Sequence, residues 1–176
     1  RDFLAREAAH HIGELGHYLG DGAQPLHVSI HHDGWQGPNP HGYSTDPRIH
    51  GKMETAFVDL IQLEASDLTP KIGQAQHLAD PFASVIQHLD TALADVELVY
   101  QLEKQGAWTD QENVAARALI YKTCASASRL LRDMIHTAWL NSASTPPFNR
   151  DASANPVSPQ HPRYNPETGS APAPKP

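Results

Sequence analysis

Two Asp-Pro pairs, Asp46-Pro47 and Asp80-Pro81, constrain the fold most, because each marks the start of a helix. The Asp side chain accepts a hydrogen bond from an unpaired first-turn N–H, and a first-turn proline has no N–H to satisfy. They predict helices over about 47–66 and about 81–104. Thr109-Asp110-Gln111-Glu112 reads as a capping box that opens a further helix to about Asn141. Leu119, Ile120, Leu130, Leu131, Met134, Ile135 and Trp139 supply the apolar stripe of that helix. Upstream, Leu4, Ala8, Ile12, Leu15 and Leu19 recur at helical spacing and predict a helix over 2–20, ended by Gly20 and Gly22. No stretch alternates as a strand would, and no internal repeat is visible. The expected fold is all-α, a multi-helix bundle.

Nine of the fifteen prolines fall in the last 33 residues, among Ser, Ala and Asn. Such a segment has too little apolar surface to offset its ordering entropy. The sequence therefore divides into a helical domain over 1–143 and a Pro-rich tail over 144–176 that is expected to be disordered. The chain opens at Arg1-Asp2-Phe3, already inside a helical pattern, and reads as a fragment or processed form that begins downstream of the native N-terminus. No signal peptide is visible and no apolar run is long enough for a membrane helix. Cys124, the single cysteine, lies in an apolar helical stretch and reads as a small core residue, as Trp108 and Trp139 read as packing residues.

Twelve histidines against thirteen Lys and Arg point towards metal or proton chemistry. The formal net charge of -7 argues against a protein that grips nucleic acid mainly through its phosphates. Bound metal can still supply local positive charge to an acidic protein. His followed four residues later by Asp or Glu puts both groups on one helical face. Three such pairs occur, His10/Glu14, His17/Asp21 and His50/Glu54. Composition alone gives about one or two, so the pair count carries little weight.

The wider arrangement says more. His17 and Asp21 close the first helix on its polar side, His27 follows a Gly-rich turn, and His50 and Glu54 open the next helix. His27, His50 and Glu54 make a two-His, one-carboxylate set, which leaves a zinc coordination position for water or substrate. His17 and Asp21 are expected to serve neighbouring metals, with Asp21 bridging two of them. The loop between the helices carries His31, His32, Asp33 and Trp35, candidates for lining a substrate cleft. His77, His88, His136 and His161 have no ligand-spaced partner and read as surface or satisfied core residues.

The stretch His17-Tyr18-Leu19-Gly20-Asp21-Gly22-Ala23-Gln24-Pro25-Leu26-His27 resembles the signature HxxGDxxQPLH of zinc-dependent phospholipases C and fungal single-strand-specific nucleases. His50 and Glu54 are similar to that family's later HxxxD/E pair, and the resemblance spans about residues 5–140. It implies an all-α domain that binds up to three zinc ions and hydrolyses phosphodiesters by in-line attack of a metal-bound hydroxide. It further implies that His27, His50 and Glu54 complete one zinc site, while His17 and Asp21 supply half of a paired site. Glu at position 54 is similar to the phospholipase branch and the long 28–49 loop to the nuclease branch, so phospholipid and single-stranded nucleic acid both stand as substrates. Members are usually secreted or periplasmic. Nothing in the sequence points to a stable protein partner. The competing expectation is a helical module in which bound metal only stiffens the fold.

Overall fold

A computed structural model describes residues 2–143, 159–168 and 171. The chain falls into two units, Arg1–Trp139 and Leu140–Pro176. The first carries every candidate site residue. Its elements are α1 (Asp2–Ala23), a 3-10 turn (Pro25–Val28), α2 (Ile49–Gly51), a π-helical turn (Lys52–Ala56), α3 (Phe57–Leu60), α4 (Ala65–Ile72), α5 (Pro81–Ala94), α6 (Val96–Lys104) and a 3-10 turn (Ala107–Thr109). The long α7 (Val114–Ser142) follows. The described residues contain no strand, so the chain is all-α there. None of their helices is long and apolar enough to cross a membrane. In the second unit, residues 159–168 form turns held by bonds such as Tyr164 N–H to His161 O at 2.9 Å. Apart from Ala171, the rest of the Pro-rich segment expected to be disordered lies outside the described residues.

The core gathers Leu26, Ile49, Met53 and Phe57 against Val99, Tyr100 and Leu102 of α6, Trp108, and Ala116, Leu119 and Ile120 of α7. Trp108 is buried as expected, and its ring N–H donates to Val99 O at 3.3 Å. Trp139 is 77% exposed, and the apolar stripe of α7 is buried as far as Leu130 and not over its last turns. Of the apolar residues expected to line α1, Leu19 is buried and Leu15 half-buried, while Ala8 and Ile12 face solvent; Ala23 at the helix end is buried as well.

Several boundaries differ from expectation for identifiable reasons. Gly20 and Gly22 do not end α1, which runs through Ala23. Gly22 is a close-approach position instead: a Cβ there would lie 2.9 Å from Leu89 Cδ2 of α5. The helix expected over 47–66 breaks after Leu60, where Gln62 adopts a left-handed conformation with φ 52°. A new helix, α4, then starts behind a Glu64/Asp67 capping box. Asp80 caps α5 as expected, accepting from Ala83 N–H at 2.9 Å. The helix stops at Asp95, whose carboxylate pairs with Lys122 at 2.6 Å, and α6 is a separate element. The capping box expected at 109–112 is absent. Asn113 caps α7 by accepting from Ala116 N–H at 3.0 Å, while Asp110 accepts from Glu112 N–H.

Candidate metal centre

Each of the three central residues follows a residue sealed in the core. Leu26 precedes His27, Ile49 precedes His50 and Met53 precedes Glu54, and all three apolar residues are buried. Burial fixes the backbone, and the next side chain projects towards the opposite, open side. The QPL segment does this locally. Gln24 caps the 3-10 turn by accepting from Leu26 N–H, and Pro25 supplies a first-turn residue without a donor.

His50 and Glu54 sit on the segment that passes from α2 into the π turn. Single π turns within α-helices occur frequently at functional sites. Asp46 holds the start of this segment, accepting from Arg48 N–H at 3.0 Å and from the Arg48 guanidinium at 2.9 Å. Those bonds, with Lys52 alongside, hold the Asp46 carboxyl far below the usual carboxylate range.

His27, His32 and His50 lie close enough together to hold a metal ion. His27 Nε2 is 2.8 Å from His50 Nε2. Glu54 closes the triangle, with Oε1 2.7 Å from His50 Nε2 and Oε2 3.2 Å from His27 Nε2. Donors on a tetrahedral zinc with bonds of about 2.0–2.1 Å would be separated by roughly 3.3 Å. The observed triangle therefore needs only a slight opening to accept that ion. Burial acts to raise the Glu54 carboxyl, but hydrogen bonds from His50 and Gln24 and the charge of His50 and His27 outweigh it and hold it below its ordinary value.

The remaining expected residues surround this triangle unevenly. Asp21 Oδ1 lies 3.3 Å from His27 Nδ1, and its Oδ2 lies 3.3 Å from His17 Nε2. Asp21 thus orients the His27 ring, and His17, 71% exposed, stands at the rim. Upstream on the same face, Glu14 contacts His11 at 3.0 Å and His10 at 3.4 Å, in a pairing at the surface. His31 stacks on Trp35 at 3.9 Å with planes 7° apart, and Trp35 packs onto Tyr43 and Tyr100. Asp33 is largely exposed, 3.6 Å from His32. Of the four loop residues, His32 alone bonds to a member of the triangle, through its 2.8 Å contact with His50.

His88 is a satisfied core histidine, as expected. It is buried, with Nε2 2.9 Å from Leu19 O and Nδ1 3.3 Å from Ser126 Oγ. Gln24 is the residue whose part sequence reasoning missed. Its amide donates to Glu54 Oε2 at 3.2 Å, so one side chain caps the turn below His27 and steadies the carboxylate opposite. The signal was its place directly before Pro25. A recess lined by Ala23, Gln24, Met53, Glu54, Val58 and Cys124 opens beside the triangle. Comparison of the chain with family models, curated proteins and solved structures gives no match.

Proposed function

We propose that the chain carries a zinc-dependent phosphodiester hydrolase site of the phospholipase C and single-strand nuclease type. The observation that supports this reading is the meeting of His27 Nε2, His50 Nε2 and the Glu54 carboxylate within 3.2 Å of one another. These are the residues the sequence resemblance marks as one zinc's ligands. Two neutral imidazoles and one carboxylate suit a borderline cation and leave a position open for substrate or water.

A zinc ion in such a site supplies Lewis-acid polarisation of a phosphoryl oxygen and activates water near neutral pH. This chain's residues contribute position. Glu54 contributes a negative charge steadied by Gln24, and the Asp21 carboxylate, 3.3 Å from His27 Nδ1, favours a proton on that nitrogen and leaves the Nε2 lone pair turned inward. His17 and Asp21 form the edge at which further zinc would bind, up to three ions in a whole domain. The substrate is a phosphodiester from phospholipid or single-stranded nucleic acid, and by the same resemblance the protein acts after export.

The test is zinc content together with hydrolysis of a chromogenic phosphodiester, phosphatidylcholine vesicles and single-stranded DNA, for the chain and for His50→Ala. Stoichiometric zinc and a cleavage activity lost in His50→Ala support the reading. Absence of bound zinc, or activity unchanged in His50→Ala, overturns it. One observation favours a second reading, a non-catalytic zinc-stiffened helical module: Asp21 already serves His27, and His17 is open to solvent. That module predicts a zinc-dependent rise in melting temperature with no phosphodiester cleaved.

A further inference from the structure

We propose that His32 is a positioning residue that sits behind His50, fixing the tautomer in which His50 offers Nε2 to the metal. The inference rests on the metal-binding reading above. An imidazole has two nitrogens on different edges of the ring, and a hydrogen bond at one decides what the other can do. His50 Nε2 faces His27 and Glu54, whereas His50 Nδ1 faces His32 Nε2 at 2.8 Å. An ion held by His50 Nε2 therefore leaves His50 Nδ1 to His32.

The direction of the His32–His50 bond follows from the next partner along. His32 Nδ1 lies 3.3 Å from Leu26 O, and a carbonyl only accepts, so the proton of neutral His32 is on Nδ1. His32 Nε2 is then an acceptor and takes the Nδ1 proton of His50. That leaves His50 Nε2 with a lone pair directed at His27 and Glu54. Its single acceptor site used, His32 has no lone pair left for the metal. Asp33 Oδ1, 3.6 Å from His32 Nε2, is the charged group beside it and lies beyond hydrogen-bond distance.

The fold holds this relay in place. Leu26 is fully buried, so its carbonyl is a fixed anchor. Ser29 Oγ accepts from His31 N–H at 3.0 Å and turns the chain back towards the site. The His32 ring meets the His50 ring edge-on, 4.1 Å between centroids and 84° between planes, so the two rings are in contact as well as bonded through nitrogen. With its own carbonyl behind it, His32 does for His50 what Asp21 does for His27.

The experiment measures Zn²⁺ affinity by competition with a chromophoric chelator, and the absorption spectrum of the Co²⁺-loaded chain, for the native sequence, His32→Ala and His32→Gln. His32→Ala is expected to weaken Zn²⁺ binding about 10–100-fold. At saturation its Co²⁺ spectrum should keep the native band positions and intensity, because the ligand set is unchanged. His32→Gln retains an amide oxygen able to accept from His50 Nδ1, and should recover at least part of the loss; it carries the test if His32→Ala fails to fold. Native affinity in His32→Ala overturns the proposal, as does a Co²⁺ spectrum altered in either variant, which would make His32 a ligand. A folded His32→Gln no tighter than His32→Ala also overturns it. A native chain that binds neither ion removes the metal reading itself, and this inference with it.

Discussion

His27 and His50, 23 positions apart, face each other through their Nε2 atoms at 2.8 Å with ring planes at 73°. Asp21 Oδ1 stands 3.3 Å from His27 Nδ1 and His32 Nε2 2.8 Å from His50 Nδ1, each favouring a proton on Nδ1 of its neighbour. Two lone pairs then point at each other beside a carboxylate, an arrangement that is favourable only with a cation between them. A divalent metal meets that need and also binds Glu54.

Gln24 ties the turn below His27 to Glu54. Gln24→Ala is expected to cost about 1 kcal/mol of stability, the usual scale for a lost helix cap. It should also weaken zinc binding, since Glu54 loses its neutral donor. Gln24→Glu keeps an acceptor for the cap but sets a second carboxylate beside Glu54, so without zinc it should be less stable than the native chain above the carboxylate titration range. Urea denaturation of the three proteins, with and without zinc, checks both statements.

Ile49 is the buried anchor behind His50. Ile49→Ala should lower stability by about 2–5 kcal/mol through lost transfer energy and a cavity. Ile49→Val should cost about 0.5–1.5 kcal/mol. If burial of this residue is what aims His50, zinc affinity in the folded variants falls in the same order, as titration against a chelator would read.

Gly34 adopts φ +97°, and a Cβ there would lie 2.6 Å from the Thr45 backbone. Gly34→Ala should therefore cost about 1–3 kcal/mol, the range for strained backbone, as measured by thermal denaturation. It should also disturb the 28–48 loop that carries His32, so its zinc affinity falls more than that of Gly37→Ala, where a Cβ meets nothing within 4 Å.

Tyr100 donates its hydroxyl to His31 O, and burial is the main reason that its phenol is pushed from 10 up to about 12. The folded chain holds this proton more tightly than the unfolded chain. Its stabilising contribution is therefore complete below pH 10 and is lost as pH rises from 10 towards 12. Absorbance titration of tyrosinate should show a late-ionising tyrosine that is missing in Tyr100→Phe. The variant's stability should fall less steeply over that interval.

The sequence carried much of the helical plan and part of the site. Asp80-Pro81 marked a real helix start because a cap is decided within one turn. The break at Asp95 was invisible, because no breaker residue makes it and its partner Lys122 is 27 positions away. The left-handed Gln62 occupies a conformation that glycine would have advertised. At the site, the four-residue spacing of His50 and Glu54 correctly put both on one face. His32 reaches His50 through an irregular loop with no period to read, so its contact with His50 emerges only from the fold. Gly22 misled for the converse reason: helix stop and close approach favour the same residue.

Whether His27, His50 and Glu54 hold zinc is decided by titrating the chain and His50→Ala against a chromophoric chelator. A zinc site there predicts at least one tightly held zinc per chain, with an unchanged helical fold and an affinity loss in His50→Ala greater than the roughly 10–100-fold expected of His32→Ala. A chain that holds no zinc, or one in which His50→Ala binds zinc as well as the native sequence, would contradict it.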